Sequence, residues 1–137
     1  MVHALREARR VLKPNGVLID LRPGGVHRRA GIVRGGRFQH VGTMREDFGD
    51  VRAADRAVAH ALREGLFKAG RRVEVECRRV MDTPDEFQDW LDGFTRLAEL
   101  PPHDWLLEKI ERAHQAAPRP RKIVVTGPLG LRVLRKV

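Results

Sequence analysis

Six histidines, one cysteine and a large surplus of arginine are the groups in this sequence that could do chemistry, and serine is absent altogether. Without serine there is no Gly-x-Ser-x-Gly nucleophile, so serine-based hydrolysis is excluded. Cys77 stands alone; it can neither close an internal disulfide nor build a thiolate metal site, and a buried, inert thiol is its expected state. His3, His60, His103 and His114 fall in helical patterns without a second His or Cys at i+3 or i+4, and Glu64 beside His60 reads as an ordinary helix pair. No metal site is expected. His27 and His40 differ, because both follow an apolar run that ends at Arg22. Ligands of open α/β sheets bind beyond the carboxyl ends of the strands, which makes Arg22, His27 and His40 the candidate substrate-binding residues. Histidine titrates near neutral pH and could orient or deprotonate a nucleophile there. The alternative is a pair of solvent-facing loop residues. Asp20 reads as a polar contact at such a pocket or as a structural carboxylate paired with Arg22 or Arg28. No residue is assigned as catalytic.

The elements that must carry these residues follow from periodicity. Val2 to Leu12 sets Leu5, Ala8, Val11 and Leu12 on one stripe with Arg6, Glu7, Arg9 and Arg10 opposite, an amphipathic helix. Lys13-Pro14-Asn15-Gly16 ends it, since proline cannot continue a helix and Asn-Gly accepts positive φ. Val17 to Leu21 is apolar on both faces apart from Asp20, which reads as an interior strand covered on both sides. Gly35-Gly36 between Ile32–Arg34 and Arg37–Val41 predicts a hairpin. Asp50 opens a long helix to Ala69 with Val51, Ala54, Val58, Ala61, Leu62 and Leu66 inward and Gly70 closing it. Arg71 to Val80 alternates as a strand with Val73, Val75, Cys77 and Val80 on its apolar side. Thr83, Pro84 and Glu86 start a helix whose stripe is Phe87, Trp90, Leu91, Phe94 and Leu97, read as core or interface before an aromatic-lined pocket. Pro101-Pro102 breaks it, and another helix runs from His103 to Ala116. Ile123–Thr126 and Leu131–Leu134 flank Gly127–Gly130 as a terminal hairpin. The expectation is one mixed α/β domain over residues 1–137.

One stretch carries a recognisable pattern. Arg10-Val11-Leu12-Lys13-Pro14-Asn15-Gly16, followed by Val17-Leu18-Ile19, resembles the segment of class I S-adenosylmethionine-dependent methyltransferases in which a helix ending in Arg-Val-Leu-Lys-Pro-Gly-Gly passes into the fifth strand. Asn15 stands for the first glycine, and asparagine tolerates the left-handed conformation that the turn needs. The long helix, the strand from Arg71 and an antiparallel last strand (Ile123–Thr126 or Leu131–Leu134) are similar in order to the C-terminal half of that family. The resemblance implies a partial Rossmann-like mixed sheet with helices and a terminal antiparallel hairpin. It also implies transfer of a methyl group from S-adenosylmethionine to an acceptor held near Arg22, His27 and His40. The family's glycine-rich turn and acidic cofactor contact belong to strands ahead of Val2, and no strand–G-x-G-x-x-G–helix context occurs in this sequence. No cofactor-binding residue is carried over, and the isolated chain is expected not to bind S-adenosylmethionine.

Net charge is +9, with 22 arginines against 5 lysines spread along the whole chain. The basic pairs have no interleaved aromatics and tyrosine is absent, so weak, salt-sensitive, nonspecific nucleic-acid binding is the most the charge predicts. No apolar run approaches the ~20 residues of a membrane span, and the N-terminus has no apolar signal core; a cytoplasmic protein is expected. The fifth-strand equivalent wants a neighbour on each side, one of them the terminal strand around Ile123 to Val125. Its other side calls for a partner, either a second copy in a homodimer or a complementing chain. A non-catalytic assembly module is the competing reading.

Overall fold

Apolar spacing and three glycine-bearing turns set the order of elements in the computed structural model, which describes the chain except residues 26, 47–48, 94–96 and 100–102 and the side chains of 46, 97–99 and 103. The order is α1 (Val2–Val11), β1 (Val17–Pro23), β2 (His27–Arg34), β3 (Arg37–Glu46), α2 (Gly49–Arg63), β4 (Phe67–Met81), α3 (Pro84–Asp92), β5 (Leu97–Glu99), α4 (His103–Ala116) and β6 (Lys122–Lys136). The protein is mixed α/β. Its residues form two compact units, Met1–Gly24 with Phe48–Val75 and Leu129–Val137, and Gly25–Asp47 with Glu76–Pro128.

In the first unit β6 lies between β1 and β4. β1 runs antiparallel to β6 with Val17 opposite Arg135 and Pro23 opposite Leu129. Its partner is therefore the distal part of β6, not the Ile123–Val125 segment expected from sequence. Asn15 takes φ 59° and the Gly16 amide donates to the Lys13 carbonyl at 2.8 Å, closing the turn between α1 and β1 as read from Pro-Asn-Gly. Leu5, Ala57, Val58, Ala61, Phe67 and Leu134 are buried together, with Leu18 and Leu66 packed on them. Val11, placed on the apolar stripe of α1 by spacing, is exposed instead.

α2 ends earlier than its pattern suggests. Gly65 takes φ +70°, the Gly65 amide donates to Leu62 and the Leu66 amide to Ala61, the paired bonds of a glycine-terminated helix. Leu66 consequently sits beyond the helix and still packs on Ala61's cluster. Gly70, expected to close the helix, is in β4, where a side chain's Cβ would stand 3.2 Å from the Val133 Cβ.

In the second unit β2 pairs with β3 and with the proximal part of β6, and β3 with β5, all antiparallel. Gly35 and Gly36 both have positive φ, +54° and +76°, as a two-residue hairpin turn requires. The core is Ile32, Met44, Phe87, Leu91, Leu106 and Ile110 with their neighbours. Thr83 caps α3 by accepting the Glu86 amide at 3.3 Å, and the Glu86 carboxylate accepts the Asp82 amide at 2.8 Å. Phe87 and Leu91 are fully buried core, which removes them from any ligand pocket. Phe94, Pro101 and Pro102 and the Leu97 side chain lie outside the described residues.

The expected terminal hairpin does not form. Residues Lys122–Lys136 are one fifteen-residue strand. Neither Gly127 nor Gly130 takes positive φ. The absence of a side chain at Gly127 makes room for Arg28, whose Nη1 would stand 2.9 Å from a Cβ. Pro128 lies between Thr126, where the pairing with β2 ends, and Leu129, where the pairing with β1 begins, so neither of these ladders uses its missing donor.

Candidate functional site

Arg22 is the best-held of the three residues singled out by sequence, and it belongs to the first unit. Alternation along β1 turns Leu18, Asp20 and Arg22 to one face. The Arg22 guanidinium donates from Nε to Asp20 at 2.7 Å and from Nη2 to the other Asp20 oxygen. Its Nη1 reaches the Val51 carbonyl at 3.3 Å and pairs with Asp55 at 3.1 Å. Four of its five donors are thus engaged. Hydrogen bonding to Asp20 raises the Arg22 pKa above its ordinary value, burial opposes this, and the charges of Asp20 and Asp55 add to it. Arg22 acts as a clamp from the end of β1 to the first turns of α2.

His27 and His40 lie in the second unit, on strands of the long hairpin. His27 is opposite Arg45 and His40 opposite Gly31. Four residues of strand separate these rungs, about 13 Å. Both rings are exposed, and His40 Nε2 stands 3.0 Å from the Thr43 hydroxyl. The two histidines do not converge on a common centre.

Among its described residues the second unit holds a groove and a pocket. A groove of about 850 Å³ runs beside the hairpin turn, with Ile32, Phe38, Ala113 and Pro118 along it and Arg34 and Arg37 at its rim. A pocket of about 620 Å³ is lined by Asp82, Thr83, His114, Arg119, Arg121 and Lys122. Burial pushes the His114 pKa below its ordinary value, the charge of Arg121 pushes the same way, a bond to the Asp82 backbone opposes, and Arg119 adds a smaller downward push. Sequence reasoning set His114 aside as a helix residue. The signal that could have found it is the run Arg119-Pro120-Arg121-Lys122 just after α4.

On the sheet of the first unit, α1 and α2 cover only the Leu18 and Leu134 face. The opposite face presents Val17, Ile19 and Leu21 at 42%, 59% and 54% exposure. Leu131 and Val133 stand opposite Leu21 and Ile19, half-buried, and Gly70 of β4 adjoins Val133. Alternation from Gly70 puts Lys68 and Arg72 on that face too. The solvated face of an antiparallel sheet is ordinarily polar; this one is apolar with a basic margin. β4 is exposed as well, including Val75, Val80 and Cys77, so Cys77 is not the buried thiol its spacing suggested.

Among the described residues no group of three His, Cys, Asp or Glu could hold a metal ion, and no helix is long and apolar enough to cross a membrane. No family model matches the chain, and no curated protein or solved structure matches it.

Proposed function

We propose that this chain is the C-terminal half of a partial Rossmann-like, class I methyltransferase-like fold. On this reading it takes part in S-adenosylmethionine-dependent methyl transfer once another chain supplies the cofactor-binding strands. The observation that carries the reading is β1. It follows the Leu12-Lys13-Pro14-Asn15-Gly16 turn and has the last strand antiparallel beside it. Its other edge has no strand neighbour among the described residues, and its outer face is apolar. An open edge beside a bare apolar face is an arrangement that soluble proteins cover.

Charge favours a complementing chain over a second copy. The first unit's residues hold fourteen bases against six acids, a net +8, while the second unit's hold thirteen against twelve, a net +1. Two copies meeting through the first unit would oppose like charges, whereas an acidic, apolar partner would not. The same surface also supports the reading of a non-catalytic assembly module, which differs only in whether methyl transfer follows. On this reading Arg22 has a positioning role, because most of its donors are engaged. A cytoplasmic setting suits this use. The experiment is to isolate the chain with the protein bound to its β1 face and supply S-adenosylmethionine carrying a labelled methyl group. Label is expected to leave the cofactor with the complex and not with the chain alone; a stable complex that transfers none overturns the methyl-transfer reading in favour of assembly.

A further inference from the structure

The pocket formed by Asp82 and Thr83 before α3, His114 on α4 and Arg119 to Lys122 ahead of β6 has a use that owes nothing to methyl transfer. We infer that it binds the phosphate group of a small phosphate monoester.

Charge is the first ground. The second unit has almost as many acids as bases, yet Asp82 is the one acidic residue lining this pocket beside Arg119, Arg121 and Lys122. The Lys122 ammonium is already paired with Asp82. The charges of Arg119 and Arg121 are left beside the pocket, and both push the His114 pKa down. Cations gathered with one spoken-for counter-ion define a place for an anion.

Geometry is the second. Arg121 is anchored by donating from Nη1 to the Ala117 carbonyl at 2.6 Å. A guanidinium fixed in advance loses little freedom when it binds, and its planar fork matches phosphate oxygens. Thr83 adds a hydroxyl whose oxygen accepts the Glu86 amide, leaving its proton to donate.

The size and lining narrow the ligand. A volume of about 620 Å³ exceeds what a bare phosphate fills and falls in the range of small-molecule sites. No Phe, Tyr or Trp is among the described residues that line the pocket, so a nucleobase would find no large stacking surface there. A small, non-aromatic ester is what fits.

The test uses the full chain and glycerol phosphate as the probe, followed through the His114 ring resonances by NMR. Binding is expected to raise the pKa of His114, because a bound dianion offsets the push of Arg119 and Arg121. R119Q/R121Q is expected to weaken binding by roughly tenfold or more, as loss of charge-assisted bonds requires. R56Q/R63Q, which removes the same charge from the first unit, is expected to leave it unchanged. Equal loss in both variants, or a His114 signal indifferent to glycerol phosphate in the unsubstituted protein, overturns the proposal. Inorganic phosphate binding as tightly as the ester overturns its assignment to an ester.

Discussion

Leu18 stands directly opposite Leu134 across β1 and β6, and one step along each strand Ile19 stands opposite Val133. The first pair packs under α1 and α2, with Leu134 fully buried. The second lies on the face without a helix, where Ile19 is 59% exposed. Two adjacent apolar rungs of one ladder thus have opposite surroundings, and they separate what folds the chain from what the chain presents.

Leu134→Ala should therefore lower stability by about 2–5 kcal/mol, the range for truncating a buried leucine. Ile19→Glu should change the stability of the isolated chain by less than about 1 kcal/mol, as exposed substitutions do, and abolish association with the partner. Urea unfolding monitored by circular dichroism reads the first effect, and sedimentation of the mixed proteins reads the second. Loss of folding in Ile19→Glu would place this side chain in a core.

Gly65→Ala should cost about 1–2 kcal/mol, because φ +70° is a left-handed conformation that an L side chain resists. Space is not the reason, since a Cβ there meets nothing within 4 Å. Thermal unfolding of this variant beside Glu64→Ala separates the backbone effect from general disturbance of the helix end.

Glu76 accepts the Thr126 hydroxyl at 2.6 Å, and Thr126 is 3% exposed. That bond, then the bond from Arg29, holds the Glu76 carboxyl below its ordinary value against the effect of burial, with Arg78 and Arg29 charges adding to the lowering. Thr126→Val should move the Glu76 pKa up, towards its ordinary value of 4.5, in a carboxyl-detected NMR titration. An unmoved pKa would assign the lowering to arginine alone.

Because burial depresses the pKa of His114, the unfolded chain takes up its proton first as pH falls. The sign follows: this contribution to stability is complete above the unfolded value near 6.5 and is lost as pH drops through the lower, folded value. His114→Gln should flatten that part of the stability–pH curve. Denaturant midpoints measured between pH 7 and about 5 test it; an equally steep fall in the variant would assign the dependence to another group.

How much was legible depends on whether neighbours in sequence or neighbours in space decide an element. The α1–turn–β1 passage and the Gly35-Gly36 hairpin were legible, because Pro14, Asn15 and the paired glycines act within their own turns. The fate of Gly127–Gly130 was not, since it depends on Arg28, which lies about a hundred residues away and fills the space beside Gly127. The apolar run Val17–Leu21 and the alternation along Arg71–Val80 could not tell which face a helix would cover; hence Val17–Leu21 reads as interior and is an end strand, and Val75, Cys77 and Val80 read as an apolar side and are exposed. Asp20 beside Arg22 was readable as a structural pair. The His114 pocket escaped because Asp82 and Thr83 reach it from over thirty residues upstream.

Calorimetric titration of S-adenosylmethionine, into the isolated chain and into the complex purified through the β1 face, decides whether the cofactor site needs a second chain. No measurable binding to the chain alone and low-micromolar binding, about −8 kcal/mol, to the complex are expected. Low-micromolar binding to the isolated chain, or none to the complex, would contradict that need.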